Sequence, residues 1–263
     1  MYLIMSMKLE AIFSDYDGTL CPLELRREEA IIAPRLMRLL TKASKRIRIG
    51  IVTTKDLDFI KDRVPFAQGI AATCGLEIGI GDRIIMDERI QSSNGKIEKA
   101  YREVLTKILQ NRQNIVLERK ETEEGRLMAF CIDWRLAHDW TEAKKNADPL
   151  LRFCSEQGLY VDESNISPFA NVYPMKVDKG AAFATLRTEM NVSGPIMYLG
   201  DSEVDNPAFR LADVSVGVKH RRIMPPLQCK YRLEFLGLEN FLSNLADADF
   251  DFQEEMLEQN IQN

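Results

Sequence analysis

The hydrophobic pattern of this chain changes period several times, and those changes outline its elements. Leu9–Phe13, Ile47–Val52 and Gly69–Thr73 are short, mostly apolar runs of strand length. Arg35–Ala43 and Lys55–Arg63, which alternate with them, read as helices. Strand–helix alternation of this kind predicts a parallel sheet joined by right-handed crossovers. Gly75–Ile78 and Arg83–Met86, parted by a Gly-Asp turn, read as a hairpin at the edge of this first unit.

Beyond Met86 the texture shifts. Ile97, Tyr101, Leu105 and Ile108 share one stripe of an amphipathic helix over Ile97–Leu109. Two strand-like segments follow, Asn114–Lys120 and Leu127–Asp133, then a helix over Thr141–Gln157 and short strands at Leu159–Val161 and Asn171–Tyr173. This loosely repeated helix–strand–strand unit spans roughly ninety residues, a normal size for a small domain. A helix over Ala181–Met190, a strand over Ile196–Leu199 and a helix around Leu238–Leu245 then restore the first texture. The expected fold class is α/β: a Rossmann-like doubly wound parallel-sheet core made by residues 1–81 and 179–263, with an α/β cap inserted at residues 82–178. The acid-rich tail Asp247–Glu258 is expected to be an exposed helix or a frayed end.

Length fits this division, because 263 residues is large for one compact core and suits a domain plus an insertion. A hydrophobic share of 45% beside 29% charged residues is that of a soluble globular protein. The net charge of −5 gives no basic footprint for nucleic acid, and the Lys42–Arg48 cluster reads as a solvated helix end. The five cysteines lack metal-type spacing, and their odd number implies reduced thiols in a cytoplasm. Met1–Met7 holds no long apolar run, so neither a signal peptide nor a membrane span is expected, and Met7 is a rival start.

Chemistry concentrates where the apolar runs end. Leu9–Phe13 delivers Asp15-Tyr16-Asp17-Gly18-Thr19. Two carboxylates one residue apart diverge once a strand breaks into a turn, so one can serve as nucleophile while the other leans toward a leaving oxygen. The plain alternative is an acidic Asp-Gly turn. Ile196–Leu199 delivers Gly200-Asp201-Ser202-Glu203-Val204-Asp205-Asn206 in the same way. Ligands sit beyond the carboxyl ends of strands in open α/β sheets, so the two runs predict one shared acidic cluster. Bare carboxylates in one pocket repel unless a cation neutralises them, and oxygen ligands without His or Cys point to Mg²⁺. Taken singly, Asp201 or Asp205 would be a helix N-cap. Thr53-Thr54-Lys55-Asp56 follows the second strand, where a hydroxyl and helix-start N–H groups can cradle a phosphoryl oxygen; a plain N-cap is the alternative. Lys179, in Val177-Asp178-Lys179-Gly180, can balance the carboxylates and a phosphate, with Lys176 as its rival.

In chain order these are an Asp-x-Asp-Gly-Thr box, a Thr after the second strand, a Lys-Gly pair before a helix and a Gly-Asp-x-x-x-Asp box. That order resembles the four-motif pattern of the haloacid dehalogenase superfamily, most of whose members are magnesium-dependent phosphatases. The resemblance implies that Asp15 is the nucleophile and Asp17 the general acid and later base. It implies that Thr53, Thr54 and Lys179 hold the phosphoryl group. It implies that Asp15, the Asp17 carbonyl and Asp201 bind Mg²⁺, with Asp205 as ligand or support. Superfamily ATPases usually carry Thr two residues after the nucleophile; Asp17 stands there, which favours a phosphatase or phosphomutase.

Leu117-Glu118-Arg119-Lys120 and Cys131-Ile132-Asp133-Trp134-Arg135 resemble the cap of trehalose-6-phosphate phosphatases, which carries a Glu-x-Lys pair and a following His-Tyr-Arg. By that resemblance Glu118, Lys120 and Arg135 would contact the sugar; a charged strand face in solvent is the alternative. The chain departs from the pattern at Asp133, Ser202 and Val204, and has Asn171 where an acidic residue is frequent. Thr53-Thr54-Lys55 is closer to the Thr-Ser-Lys of mannosyl-3-phosphoglycerate phosphatases. The expected activity is Mg²⁺-dependent hydrolysis of a small phosphate ester, a trehalose-6-phosphate-like sugar phosphate, through an aspartyl-phosphate. Phosphoglycolate or mannosyl-3-phosphoglycerate phosphatase, phosphomutase and a non-catalytic metabolite-binding module are the alternatives. The expected partners are the phosphate ester alone, with no nucleic acid or membrane, on a monomer or homodimer.

Overall fold

A computed structural model describes residues 6–23, 25–111, 115–164, 167–220 and 226–258. Met1 and Asn114, which begin two of the sequence-derived segments, lie outside the described residues. β1 (Met7–Lys8) and β2 (Ala11–Ser14) lead to α1 (Pro34–Ala43), β3 (Arg48–Val52), α2 (Leu57–Lys61), β4 (Gly69–Ala72), β5 (Glu77–Ile80) and β6 (Arg83–Met86). The inserted part runs through α3 (Ile90–Asn111), β7 (Val116–Glu121), β8 (Leu127–Asp133), α4 (Trp140–Glu156), β9 (Tyr160–Glu163) and β10 (Phe169–Tyr173). The chain then forms α5 (Lys179–Glu189), β11 (Ile196–Gly200), α6 (Asn206–Phe209), β12 (Val214–Lys219), β13 (Tyr231–Glu234), α7 (Leu238–Asp247), β14 (Asp251–Phe252) and α8 (Glu255–Glu258).

Eight strands make one sheet in the order β13-β12-β11-β2-β3-β4-β5-β6. Pairing is parallel from β13 to β4 and antiparallel in the β4-β5-β6 edge. From central β2 the chain winds outward through β3 and β4 on one side and β11, β12 and β13 on the other. The switch point of this doubly wound sheet therefore lies at β2 and β11, where such folds place their ligands. The burial of β2 explains why its run is apolar without alternation. Ile12 joins the layer of Leu36, Leu40, Phe241 and Leu242 from α1 and α7. Phe13 packs on the other face against Phe183 of α5, ring centroids 5.2 Å apart.

The inserted strands form a separate antiparallel sheet, β7-β8-β10-β9. One face is sealed by α3 and α4 through Ile97, Val104, Phe130, Ile132 and Leu150. From the other, Met128, Ala129 and Tyr173 join Cys74 and Leu76 in a small apolar cluster that bridges to the large sheet.

Three differences from the sequence reading have physical causes. Helix α2 begins only at Leu57, because Asp56 is its N-cap and accepts the Phe59 N–H at 2.9 Å. The tail is neither one exposed helix nor frayed: β14 pairs with β1, and Phe250, Phe252 and Leu257 are buried. Apolar residues spaced among the acids anchor it. Finally, β12 and β13 complete the sheet where no strand is read from the sequence. Among the described residues, no helix is long and apolar enough to cross a membrane.

Candidate active site

Adjacent strands β11, β2 and β3 end at one edge of the sheet, and each delivers polar residues there. Asp15 follows β2 and its N–H donates to the Leu199 carbonyl of β11 at 2.9 Å, which fixes the nucleophile box against the second acidic loop. Gly18 turns the box at φ 78°, and a Cβ there would lie 2.1 Å from Asp201 Oδ2. Only glycine permits both the turn and the approach of Asp201. Lys179 enters at the first turn of α5, whose start is set by the Asp178 carboxylate accepting the Ala181 N–H at 2.9 Å.

The predicted cluster forms. Carboxylate oxygens of Asp15, Asp201 and Asp205 all lie within 4.8 Å of one another. Lys179 Nζ sits 2.7 Å from Asp15 Oδ1 and 2.7 Å from Asp205 Oδ1. Burial pushes the Asp15 carboxyl up to about 7; Lys179 opposes the rise, and Asp205 and Asp17 add to it. Such a buried set of hard oxygen donors suits a hard divalent cation, which would relieve the repulsion. Asp205 is already saturated. Its Oδ1 accepts from Lys179 and from the Tyr198 hydroxyl at 2.7 Å, and its Oδ2 accepts from the N–H groups of Asp201 and Ser202 and the Ser202 hydroxyl, each at 3.1 Å. Asp205 thus holds Lys179 and the Asp201 loop in place.

Asp17 faces a cation that the sequence-derived site omits. Lys55 Nζ lies 3.5 Å from Asp17 Oδ2 and 3.7 Å from Glu118 Oε1. Burial works against the charge of Lys55, yet Asp17 and Glu118 outweigh it and hold its pKa above the ordinary lysine value. Its place directly after Thr53-Thr54 was the available signal. Thr53 is fully buried and its hydroxyl accepts the Lys55 N–H at 3.2 Å, so its own proton can be donated to a ligand. Neither threonine caps α2, since Asp56 does.

Glu118, Lys120 and Arg135 do not form a solvated face; all three reach the large domain's loops. Glu118 ion-pairs with Arg27, which also pairs with Asp56. Burial would raise the Glu118 carboxyl, but Lys55, Lys120, Arg27 and Arg135 hold it at about 2. Lys120 is 1% exposed and donates to the Thr54 carbonyl and to Asn171 Oδ1, both at 2.6 Å. Burial lowers its pKa. Arg135 pairs with Asp133 at 2.6 Å and donates to the carbonyls of Leu23 and Leu25 at 3.2 and 3.0 Å.

Between the two sheets remains a cavity of about 30 Å³. Asp15, Asp17, Thr54, Lys179 and Asp201 line one side, and Asp162, Ser164, Ser167, Phe169 and Asn171 the other. This is room for roughly two waters. The two sheets are closed on one another.

No family model matches the sequence, and a search of curated proteins finds no match. Solved structures do match. A trehalose-6-phosphate phosphatase related protein aligns at TM-score 0.69 and 19% identity over 90% of this chain and 97% of its own. The trehalose-6-phosphate phosphatase C-terminal domain of C. albicans aligns at TM-score 0.71 and 17% identity, covering 92% and 93%. A haloacid dehalogenase-like hydrolase from Bacteroides thetaiotaomicron aligns at TM-score 0.64 and 13% identity, covering 90% and 100%. The chain shares the fold of these solved structures, a Rossmann-like core with an inserted α/β unit.

Proposed function

We propose that the protein is a Mg²⁺-dependent phosphomonoesterase acting on a phosphorylated sugar of the trehalose-6-phosphate kind, with residues 1–81 and 179–263 as core and 82–178 as cap. The observation that carries this reading is the convergence of Asp15, Asp201 and Lys179 at the ends of two adjacent strands, with the second carboxylate, Asp17, two residues after the first. Asp15 attacks phosphorus, the bond to the leaving alkoxide breaks, and Asp17 protonates that oxygen. Asp17 then takes a proton from the water that cleaves the aspartyl-phosphate and releases phosphate. Lys55 stabilises the Asp17 carboxylate between these duties. Thr53, Thr54 and Lys179 hold the phosphoryl oxygens, and preorganised donors of this kind supply most phosphoryl-transfer catalysis. Asp15, the Asp17 carbonyl and Asp201 would hold Mg²⁺, with Asp205 as support; bound there it neutralises the carboxylates and the phosphoryl charge.

The likeness of the fold to trehalose-6-phosphate phosphatases supports a sugar leaving group. The cavity is too small for a sugar, so substrate entry requires the cap to part from the core. Glu118, Lys120 and Arg135 then recover their core partners as the cap recloses over the bound ester, excluding water from the chemical step. The test is Asp15→Asn, an isosteric change. Phosphate release from a sugar-phosphate panel with Mg²⁺ should fall by about 10⁴-fold or more, while far-UV circular dichroism stays unchanged. Substantial Mg²⁺-dependent turnover by that variant would overturn the scheme.

A further inference from the structure

The strand register of the inserted sheet puts an unexpected carboxylate opposite the core carboxylates. Glu118 pairs with Cys131, Cys131 with Asn171, and Asn171 with Asp162, so the four lie in one row across β7, β8, β10 and β9. Residues directly opposite across an antiparallel pair share a face. Glu118 and Asn171 from that row are committed to Arg27 and Lys120. Asp162 lines the cavity, and among the described residues it has no hydrogen-bond or ion-pair partner. Burial pushes its carboxyl above the ordinary range, with Lys179 and Lys120 opposing. Asp162 is half-buried at the cavity wall, and a half-buried carboxylate without a donor loses part of its hydration uncompensated. A ligand that brings a donor relieves that cost.

Among the described residues lining the cavity, Lys179 is the one cation, and it already lies between Asp15 and Asp205. Lys120 and Arg135 are spent on protein acceptors, and Lys55 on Asp17 and Glu118. A leaving group with its own negative charge would therefore find no uncommitted counter-charge beside Asp162. The groups left to meet it are neutral: the Asn171 amide N–H, whose oxygen is taken by Lys120, and the hydroxyls of Ser167 and Thr54.

We propose that Asp162 determines the substrate class: its carboxylate accepts a hydrogen bond from a hydroxyl of an uncharged polyol leaving group and repels phosphate esters whose alcohol portion carries a carboxylate. This rests on the phosphatase reading and narrows it, since phosphoglycolate and phosphoglycerate esters fall in the excluded class. The test pair is sorbitol 6-phosphate and 6-phosphogluconate, which differ only in a terminal CH₂OH against COO⁻. The wild type hydrolyses the polyol ester with kcat/KM about 100-fold above that of the acid. Asp162→Asn keeps the shape and removes the charge. It lowers kcat/KM for the polyol ester by about 10- to 100-fold, mostly in KM, as expected for losing a charged hydrogen-bond acceptor, and raises that for the acid by about tenfold once the like-charge repulsion is gone.

A wild-type ratio near one overturns the proposal without any variant. So does an Asp162→Asn enzyme with normal circular dichroism and a ratio within about threefold of wild type. If the wild type releases phosphate from no sugar phosphate in Mg²⁺, the phosphatase reading itself has failed. If turnover is present and the ratio is unmoved, only the role of Asp162 has.

Discussion

The two sides of the cavity are built by different geometry and spend their charges differently. On the core side, parallel strands β11 and β2 end together, so residues far apart in sequence converge because their strands are neighbours. On the inserted side, antiparallel register lines up Glu118, Cys131, Asn171 and Asp162 across four strands. The core charges lean on one another: Lys179 is shared between Asp15 and Asp205, and Tyr198 and Ser202 complete the latter. The inserted charges lean on the core, through Arg27, the Thr54 carbonyl and the carbonyls of Leu23 and Leu25. Self-contained electrostatics make a reaction centre that persists when the sheets part. Contacts across the boundary make a surface that can exist only when they meet. Damage on the core side should therefore appear in kcat, and damage on the inserted side in KM.

The largest effect expected from this contrast is that of Lys179→Met. It leaves two buried carboxylates facing each other and removes a charge from the phosphoryl site. Steady-state kinetics should show kcat lowered by about 10³-fold, the scale of losing one preorganised electrostatic contact or more. Because removing one member of a buried ion pair costs about 3–5 kcal/mol, denaturant unfolding should also show a clear loss. Retention of kcat within tenfold would break the claim that the core side is the reaction centre.

Lys120→Met, on the inserted side, should do less and do it elsewhere. KM for a sugar phosphate should rise about 10- to 100-fold, since a buried charged donor to Thr54 and Asn171 disappears. The kcat should stay within a few-fold, because Lys120 meets the core only at the Thr54 backbone carbonyl and makes no hydrogen bond or ion pair with Asp15, Asp201, Asp205 or Lys179 among the described residues. A kcat loss matching that of Lys179→Met, with KM unchanged, would erase the distinction between the two sides.

The same contrast decides what the sequence discloses. Asp15, Asp17, Thr53, Lys179, Asp201 and Asp205 are legible because each follows a recognisable apolar run or opens a helix, and strand order alone brings them together. Glu118, Lys120 and Arg135 stand out by spacing, but spacing does not say that their partners are Arg27, Thr54, Leu23 and Leu25. Those contacts depend on how two sheets close. Asp162 is invisible because its importance comes from lying opposite Asn171, a register set by the whole hairpin. Lys55 was within reach, one residue beyond the threonines. Strands β12 and β13 were lost for a simpler reason. Val214–Lys219 interrupts its apolar residues with Ser215 and Gly217, and Tyr231–Glu234 alternates charge with apolar residues at a sheet edge.

The smallest effect lies at the boundary itself and sharpens the comparison by affecting stability alone. Glu77 of β5 is 2% exposed, its Oε2 has no hydrogen-bond partner among the described residues, and it lines a second cavity between the β5–β6 hairpin and the turn joining β7 to β8. Burial pushes its carboxyl up to about 7 from 4.5, with the Leu57 N–H opposing. The folded state therefore holds this proton more tightly than the unfolded chain does. The resulting stabilisation is complete below pH 4.5 and is lost as pH rises toward 7. Above that range an ionised carboxylate is trapped in the fold. Glu77→Gln, which cannot ionise, should raise unfolding free energy at pH 8 by about 1–3 kcal/mol and give little at pH 4.5. It should leave both kcat and KM near wild type, since Glu77 belongs to neither side of the catalytic cavity. Denaturant unfolding of the two proteins at both pH values is the measurement. An equal gain at both would mean that Glu77 carries no trapped charge and that shape alone governs this boundary.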